Sequence, residues 1–365
     1  MDLGRVYGFA TDTDGTIWYI ERRSNCLIHL NLKDSSILEC SFIPELEGYG
    51  LAVSNGVVTD RYVIFAPFTF HSVIVYSKYE KTIRFLRLEV WEGYYNLFVQ
   101  VIASQGHIFF IPFCYNSLVE LDEENLELNY HNVINPAVFG RNKGDAFIRV
   151  AGIKDDRILI MPEFMGNQIL IYDYRKKAFK KIELSMEIKI SMIIIDKDYL
   201  WLLSYKKNEL YLYDHTLSEL KRRIVLSDSQ DDSFGMIVDC DTYVVAFQNG
   251  ADSSYVINKK DFSVEKIDIN IKNDPQNIAV VQATKLDDKR VVISVYGDRS
   301  IIGIYSTDDK NVKWIDLPDE NYGMILKRNF HNDLIKENSS NDLQVLFNVL
   351  NDKEHFGICN AVGIN

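Results

Sequence analysis

The sequence predicts an all-β protein, and two observations carry that prediction. One short pattern of alternating apolar residues, closed by Asp, Asn or Ser, occurs seven times, at residues 27–31, 73–77, 118–122, 169–173, 210–214, 255–258 and 302–306. The starts of successive copies are 46, 45, 51, 41, 45 and 47 residues apart. Alternation favours strands buried on one face, and a recurring interval of this length indicates a repeat architecture.

Each copy of the pattern lies in the same local context, which predicts four strands per repeat. An apolar stretch such as 193–195 comes first, and a strongly apolar strand such as 200–203 precedes the copy. A more charged strand such as 178–183 follows it. Continuous apolar runs indicate burial on both faces, and charge protects an outer edge. Four-stranded units of about 40 to 50 residues are typical of propeller blades. The sequence therefore predicts a seven-bladed β-propeller.

The predicted propeller spans residues 4–319, and residues 320–365 form a predicted C-terminal tail. The expected blade limits are 4–46, 47–93, 94–138, 139–187, 188–229, 230–273 and 274–319. In the tail, Leu343, Leu346, Phe347 and Leu350 follow the i, i+3, i+4, i+7 spacing of an amphipathic helix. We expect a short helical tail whose apolar stripe offers a docking surface.

Composition restricts the classes of partner and compartment. The formal net charge of −12 disfavours nucleic acid, because an acidic surface repels phosphate. The five cysteines are dispersed and never form a C-x-x-C pair, which argues against a disulfide framework and favours a reducing compartment. No apolar run approaches the ~18 residues of a membrane span, and the N-terminus does not read as a signal peptide. We expect a cytoplasmic protein with no membrane span.

The search for catalytic, metal or cofactor motifs identifies none. The seven histidines lack metal-ligand spacing. Asp12, Asp14 and Glu21 share part of the spacing of a calcium loop, but Ala10 stands at the first ligand position. An Asp14–Gly15 turn between two strands is the simpler interpretation. We predict no metal site and no cofactor, and we assign no catalytic residue.

The first repeat resembles a blade of the streptogramin-lyase-type propellers. The resemblance rests on residues 7–10, 14–21 and 25–28, which hold an inner-strand glycine, a D-G turn and an I-W-Y-I-E strand before an Asn hairpin. It implies a propeller fold. In that family catalysis uses an inner-strand histidine and a glutamate near the end of the second strand. Glu21 matches the glutamate, whereas Gly8 stands where the histidine is needed, so the resemblance does not imply lyase activity.

In a propeller, the hairpins between the second and third strands and the connections between blades open on one face, and function is often carried by such loops. The residues predicted to bind a ligand there are Glu21, Arg22, Arg23, Phe68, Phe70, His71, Tyr115, Phe164, Tyr205, Lys206, Tyr296 and Arg299. Aromatic and basic side chains suit stacking on sugars or gripping a peptide. The alternative is that these aromatics pack between blades.

The leading hypothesis is a non-catalytic binding or scaffold propeller that recognises a glycan, a peptide or a protein partner on its loop-rich face. The alternative is an enzyme, a lyase or a carbohydrate-active enzyme, that uses the axial funnel. A third interpretation makes the propeller an assembly scaffold that docks through Leu343, Leu346, Phe347 and Leu350.

Overall fold

A computed structural model describes residues 6, 8–89, 96–131, 148–162, 167–186, 188, 190–204, 207–227, 234–248, 253–269, 279–296, 301–315 and 317. These residues hold 28 strands and one short 3-10 turn, Pro44–Leu46. The strands form seven antiparallel sheets of four consecutive strands each. The predicted helical tail, with Leu343, Leu346, Phe347 and Leu350, lies outside the described residues.

The first four sheets are blades 1 to 4. Blade 1 contains β1 Phe9–Thr11, β2 Thr16–Glu21, β3 Cys26–Asn31 and β4 Ile37–Phe42. Blade 2 contains β5 Val53–Val58, β6 Tyr62–Pro67, β7 Ser72–Ser77 and β8 Ile83–Arg87. Blade 3 contains β9 Phe98–Ser104, β10 His107–Pro112, β11 Leu118–Asp122 and β12 Leu128–His131. Blade 4 contains β13 Ile148–Lys154, β14 Arg157–Pro162, β15 Gln168–Asp173 and β16 Ala178–Glu183.

The last three sheets are blades 5 to 7. Blade 5 contains β17 Ile190–Ile195, β18 Leu200–Ser204, β19 Glu209–Tyr213 and β20 Leu220–Val225. Blade 6 contains β21 Phe234–Cys240, β22 Tyr243–Gln248, β23 Ser253–Asn258 and β24 Val264–Asp268. Blade 7 contains β25 Ala279–Lys285, β26 Arg290–Tyr296, β27 Ile301–Ser306 and β28 Asn311–Ile315.

The first strand of each blade contacts the first strand of the next, and β25 contacts β1, so the seven blades close into a ring. This is a seven-bladed β-propeller, and the fold predicted from the sequence is confirmed. The seven repeated patterns are the third strands, and each set of four strands falls inside one predicted blade interval.

Burial is greatest in the second strands and falls toward the fourth, as predicted, but the first strands depart from the predicted gradient, because β5 and β17 are only partly buried at four of their six positions. Every residue of β2, β6 and β18 is buried, whereas β16 is exposed at five of its six positions. Among the described residues, one buried hydrophobic cluster joins each pair of adjacent blades, including blades 7 and 1. The core is therefore a ring of seven interfaces, and each blade stabilises its neighbours by covering apolar surface.

A repeated polar contact also joins the inner strands of neighbouring blades. In six blades the pairing of the first and second strands shifts register near the start of the first strand, and such bulges re-aim side chains. Four inner-strand side chains at or beside these bulges accept a hydrogen bond from a backbone N–H of the next blade. They are Asn55 (from Val101, 3.0 Å), Gln100 (from Ala151, 3.3 Å), Met192 (from Ile237, 3.4 Å) and Gln282 (from Phe9, 2.9 Å).

Gln282 closes the ring between the two ends of the propeller. Its amide accepts from the N–H of Phe9 at 2.9 Å and donates to the carbonyl of Phe9 at 2.8 Å. Both residues are buried, so loss of these bonds would leave polar groups of Phe9 without a partner. Blades 1 and 7 are thus joined by a side-chain amide that bonds to both backbone groups of Phe9.

Candidate functional site: the hairpin face

We call the side of the ring that carries the second-to-third-strand hairpins and the connections between blades the hairpin face. The hairpins that the structure describes in full are those of blades 1 to 3, at 22–25, 68–71 and 113–117, with the connections 43–52, 88–89 and 96–97 beside them. Of the predicted site residues, Phe164, Tyr205, Lys206 and Arg299 lie outside the described residues. Tyr296 ends β26, where it pairs with Ala279, and its side chain is likewise outside the description.

The hairpins of blades 2 and 3 are fixed to the connection that enters the same blade. The N–H groups of Phe68 and Phe70 donate to the carbonyl of Ala52 at 2.8 and 3.2 Å. The N–H groups of Phe113 and Tyr115 donate to the carbonyl of Leu97 at 2.9 and 3.3 Å. Because both hairpins use the same pattern, their side chains take equivalent positions on the face.

This pattern separates the predicted aromatic residues into two groups. The first hairpin residue of each blade, which is Arg22, Phe68 or Phe113, is partly exposed. The aromatic residue two positions later is buried, with 8% of Phe70 and 1% of Tyr115 exposed. Two residues that lie two positions apart along one hairpin therefore face opposite environments, the surface and the core.

Phe70 and Tyr115 pack into the interfaces between blades. Phe70 makes edge contacts with Tyr49 at 5.1 Å and with Phe85 at 5.7 Å between ring centroids. Tyr115 lies 5.0 Å from Phe98. Edge and tilted aromatic pairs of this kind stabilise packing beyond the area that they bury. Both residues therefore position the hairpins on which the exposed residues stand.

Glu21, the residue that matches the lyase glutamate, is buried inside its own hairpin. Only 2% of the residue is exposed, and its carboxylate accepts a hydrogen bond from the N–H of Ser24 at 2.7 Å. At position 8, a Cβ atom would lie 2.1 Å from the backbone oxygen of Ser54 in blade 2. A histidine therefore has no room at the place where the lyase family requires one.

The connection between blades 1 and 2 is held from both sides by predicted site residues. The guanidinium of Arg22 donates from Nε to the carbonyl of Gly50. The hydroxyl of Tyr49 lies 3.4 Å from Nδ1 of His71, and the two rings meet edge to face at 5.8 Å. Arg22 and His71 thus hold residues 49–50 between the hairpins of blades 1 and 2.

The partly exposed residues of this region form a mixed surface. Arg22, Arg23, Phe68, His71 and Phe113 are all partly exposed and follow one another around blades 1 to 3. Guanidinium, imidazole and phenyl groups at one surface supply hydrogen-bond donors and stacking faces. We call this set the hairpin patch. Its chemistry suits binding.

The opposite side of the ring, which carries the first-to-second-strand and third-to-fourth-strand turns, is the turn face. The sequence does not reveal two further features of the blade interfaces. One is a polar network between blades 3 and 4, in which His131 Nε2 donates to Glu120 at 2.7 Å and His131 Nδ1 lies 2.8 Å from the hydroxyl of Tyr172. His107 lies 2.5 Å from the other oxygen of Glu120.

This network changes the acidity of two of its members. The hydrogen bond from His131 is the main cause that lowers the pKa of Glu120, and the bond from His107 adds to it. Burial raises the pKa of Tyr172 to about 12, and the nearby charge of Glu120 adds to that rise. Glu120 is thus held ionised and Tyr172 protonated at neutral pH.

The second feature is a cavity of about 240 Å³ between blades 6 and 7, near the turn face. It is lined by Tyr243, Val256, Asn258, Ser263, Glu265, Tyr305, Thr307 and Lys310. Each lining residue is unremarkable alone, so only a comparison of equivalent positions along the seven repeats could have pointed to this cavity.

No group of three metal-binding side chains occurs in the part of the chain that the structure describes. Within the same residues, no helix is long and apolar enough to cross a membrane.

Comparison with solved structures supports the fold. A streptogramin B lyase structure superposes with a TM-score of 0.62 at 13% identity, over 86% of this chain and 95% of that chain. Virginiamycin B lyase from Staphylococcus aureus gives a TM-score of 0.60 at 14% identity, over 80% and 92%. YCF48 bound to a D1 peptide gives 0.63 at 8% identity, over 84% and 93%.

The resemblance to lyase-type propellers predicted from the first repeat is therefore confirmed at the level of the fold. At these identities the similarity concerns architecture alone. No family model matches the chain, and no curated protein sequence matches it.

Proposed function

We propose that this propeller is a non-catalytic binding protein that recognises a peptide segment of a protein partner through the hairpin patch. The observation that carries the proposal is the row of partly exposed side chains, Arg22, Phe68 and Phe113, at the same hairpin position of three successive blades. Hydrogen bonds to the blade connections fix the last two of these hairpins. A preorganised surface binds with a smaller ordering cost than a mobile one.

The composition of the patch favours a peptide that carries acidic and aromatic residues. Arg22 and Arg23 supply positive charge on a chain whose net charge is −12, so the patch differs in sign from the chain as a whole. Arginine and aromatic residues are enriched at the centres of protein interfaces. YCF48, a propeller of similar architecture, is a precedent for a peptide complex.

The experiment is a selection of peptides from a display library on the immobilised propeller, followed by calorimetry with the best peptide. We expect Arg23→Ala, Phe68→Ala and Phe113→Ala each to weaken binding about tenfold, the usual effect of removing an interface anchor. Tyr79→Ala is the matched control, because Tyr79 is 76% exposed and lies in a turn on the opposite face. If the selected peptides bind the three hairpin variants as tightly as they bind the natural chain, the proposal is contradicted.

The glycan and the enzyme alternatives are tested in the same samples. If no peptide is selected, and a glycan array gives a ligand whose binding is weakened by Phe68→Ala, the ligand of the hairpin patch is a sugar and not a peptide. The axial enzyme has less support, because the buried hydrogen bond of Glu21 and the lack of room at Gly8 remove the lyase pair of groups. A cytoplasmic location remains part of the proposal, and the dispersed cysteines support it.

A further inference from the structure

The cavity between blades 6 and 7 lies at a position that side chains fill in two other interfaces, the one between blades 1 and 2 and the one between blades 3 and 4. Registers of the second and third strands place Val256 at the position of His29 in blade 1 and of Glu120 in blade 3. Thr307 directly follows the third strand of blade 7, as Lys78 does in blade 2 and Tyr174 in blade 4. Smaller side chains at both positions leave space that His29 and Lys78, or Glu120 and Tyr174, occupy elsewhere.

The walls of the cavity combine apolar and polar surfaces. Tyr243, Tyr305 and Val256 supply aromatic and aliphatic surface, whereas Asn258, Ser263 and Thr307 supply an amide and two hydroxyls. Tyr305 is 1% exposed, and its buried hydroxyl has no hydrogen-bond partner among the described residues. A buried hydroxyl without a partner is costly, so a small shift of the Tyr305 ring that brings its hydroxyl to a ligand in the cavity would be stabilised by the new bond.

Charge at the mouth restricts the ligand further. Lys310 donates from Nζ to both carboxylate oxygens of Glu265, at 2.7 and 2.6 Å. The two groups neutralise each other, so a charged ligand would have to break their ion pair before it gained a partner. A neutral ligand rich in hydroxyls can bond to the remaining lone pairs of Glu265, to Asn258 and to Tyr305 while the pair stays intact.

The size of the cavity sets the size of the ligand. A buried cavity of about 150 Å³ holds a benzene ring, and pockets for larger drug-sized ligands measure about 300 to 1,000 Å³. A cavity of about 240 Å³ therefore fits one six-membered ring with its substituents. Aromatic walls with a few placed polar groups suit the alternating apolar and hydroxylated faces of a sugar ring.

We propose that the cavity between blades 6 and 7 is a binding site for a single neutral, polyhydroxylated ring, a monosaccharide or the terminal sugar of a glycan. This site lies near the turn face, so it is separate from the hairpin patch and goes beyond the peptide-binding function proposed above. Its members come from the second, third and fourth strands of blade 6, from the turn before that fourth strand, and from the third strand and following turn of blade 7. Both blades are therefore needed to form it.

The test is ligand-observed NMR and calorimetry on the full chain with glucose, galactose, mannose and N-acetylglucosamine, and with alanine and tyrosine as free zwitterions. We expect at least one neutral sugar to bind with a Kd on the order of 1 mM, typical of a small ligand with few contacts. Tyr305→Phe should weaken that binding about tenfold, because it removes one hydrogen bond and little volume. Val256→His should abolish it by filling the cavity as His29 does in blade 1.

Tyr76→Phe is the matched control, since Tyr76 occupies the equivalent position in blade 2, is buried and also has an unpartnered hydroxyl. This variant should leave sugar affinity unchanged. Thermal melting establishes whether each variant is folded. If Val256→His does not fold, Tyr305→Phe still tests the proposal. Absence of binding by every neutral sugar, binding of the zwitterions alone, or equal effects of Tyr305→Phe and Tyr76→Phe would overturn the proposal.

Discussion

The interface between blades 1 and 2 and the interface between blades 6 and 7 share one framework near the turn face. Each has a buried tyrosine one residue before the end of the third strand, Tyr76 or Tyr305. Each has an ion pair from the next turn to the outer strand of the preceding blade, Lys81–Glu39 at 2.7 Å or Lys310–Glu265 at 2.6 Å. The two interfaces share this framework, while the side chains inside it differ.

In the interface between blades 1 and 2, side chains fill the space and bond to one another. His29 stacks on Trp18 at 3.8 Å between ring centroids and at an angle of 11°, and its Nε2 lies 2.7 Å from the hydroxyl of Thr16. Lys78 forms an ion pair with Asp12 at 3.0 Å. In the other interface, Val256 and Thr307 replace His29 and Lys78, and the cavity remains. We expect these two side chains to decide whether the same framework is filled or holds a cavity.

The interface between blades 3 and 4 is a third solution. Glu120 takes the position of His29, and its carboxylate is hydrogen-bonded to His131 and His107, whereas His29 stacks on Trp18. Repeats therefore offer a set of internal comparisons, because the backbone context is held constant while the side chains vary. Differences in packing between blades are visible as departures from the filled arrangement.

The largest effect should follow from opening the closed joint with the double variant His29→Val and Lys78→Thr. It removes the stack on Trp18, the bond to Thr16 and the ion pair with Asp12. We expect the free energy of unfolding to fall by about 2 to 4 kcal/mol, the usual range for combined packing and polar losses. Urea and thermal unfolding of the whole chain measure it.

The control for the double variant is Tyr79→Ala, which changes a side chain that is 76% exposed and should alter stability by less than about 0.5 kcal/mol. Equal stability of the double variant and the natural chain would show that His29 and Lys78 are not what closes the joint. The comparison between the two interfaces would then lose its physical basis.

The next effect concerns the charge of Glu120 and depends on pH. Its pKa is lowered in the folded chain, chiefly by the bond from His131. The stability that it contributes is therefore fully present above the ordinary glutamate pKa of 4.5 and is lost as the pH falls from there through the lowered pKa of the folded chain. Glu120→Gln should cost about 1 to 3 kcal/mol at neutral pH.

The two chains should converge in stability as the pH falls below 4.5, which unfolding in urea at several pH values measures. Glu124→Gln serves as the control, because Glu124 is exposed in the next turn of the same blade. A stability difference that stays constant with pH would mean that Glu120 acts through its shape and not through its charge.

The strand order and blade count could be predicted because they depend on local patterns. Alternation in segments such as Leu118–Asp122 reports burial on one face, and the period of the repeat needs no knowledge of contacts. The charged fourth strand, as in Ala178–Glu183, likewise follows from exposure at an edge. Both patterns depend only on residues that are close in sequence, so a single sequence is enough to predict these strands.

The exposure of the hairpin aromatics could not be predicted in the same way. Phe68 and Phe70 are the same residue type two positions apart, and what separates them is the direction in which the hairpin carries each side chain. The carbonyl that fixes the hairpin, that of Ala52, belongs to the preceding connection. The cavity is hidden for a related reason, because Val256 and Thr307 meet only when two blades pack together. Contacts of this kind depend on geometry that the local pattern does not record.

The smallest effect should come from the ion pairs that the two interfaces share. Lys81→Ala and Lys310→Ala each remove a lysine whose side chain is more than half exposed, so each should cost less than about 1 kcal/mol. Lys81→Ala should cost slightly more, because the Glu39 side chain is 21% exposed against 54% for Glu265, and because the Lys81 ammonium also lies 5.9 Å from the centre of the Tyr76 ring. Added salt should reduce both losses, since exposed charges are screened.

Urea unfolding at low and high salt measures this pair of variants. In the first interface the ion pair covers side chains that already fill the joint, so its loss exposes little. In the second it borders the cavity, so Lys310→Ala should leave stability almost unchanged and a neutral sugar should still bind. A loss of stability as large as that of the His29 and Lys78 double variant would mean that the ion pair, and not the side chains beneath it, holds blades 6 and 7 together.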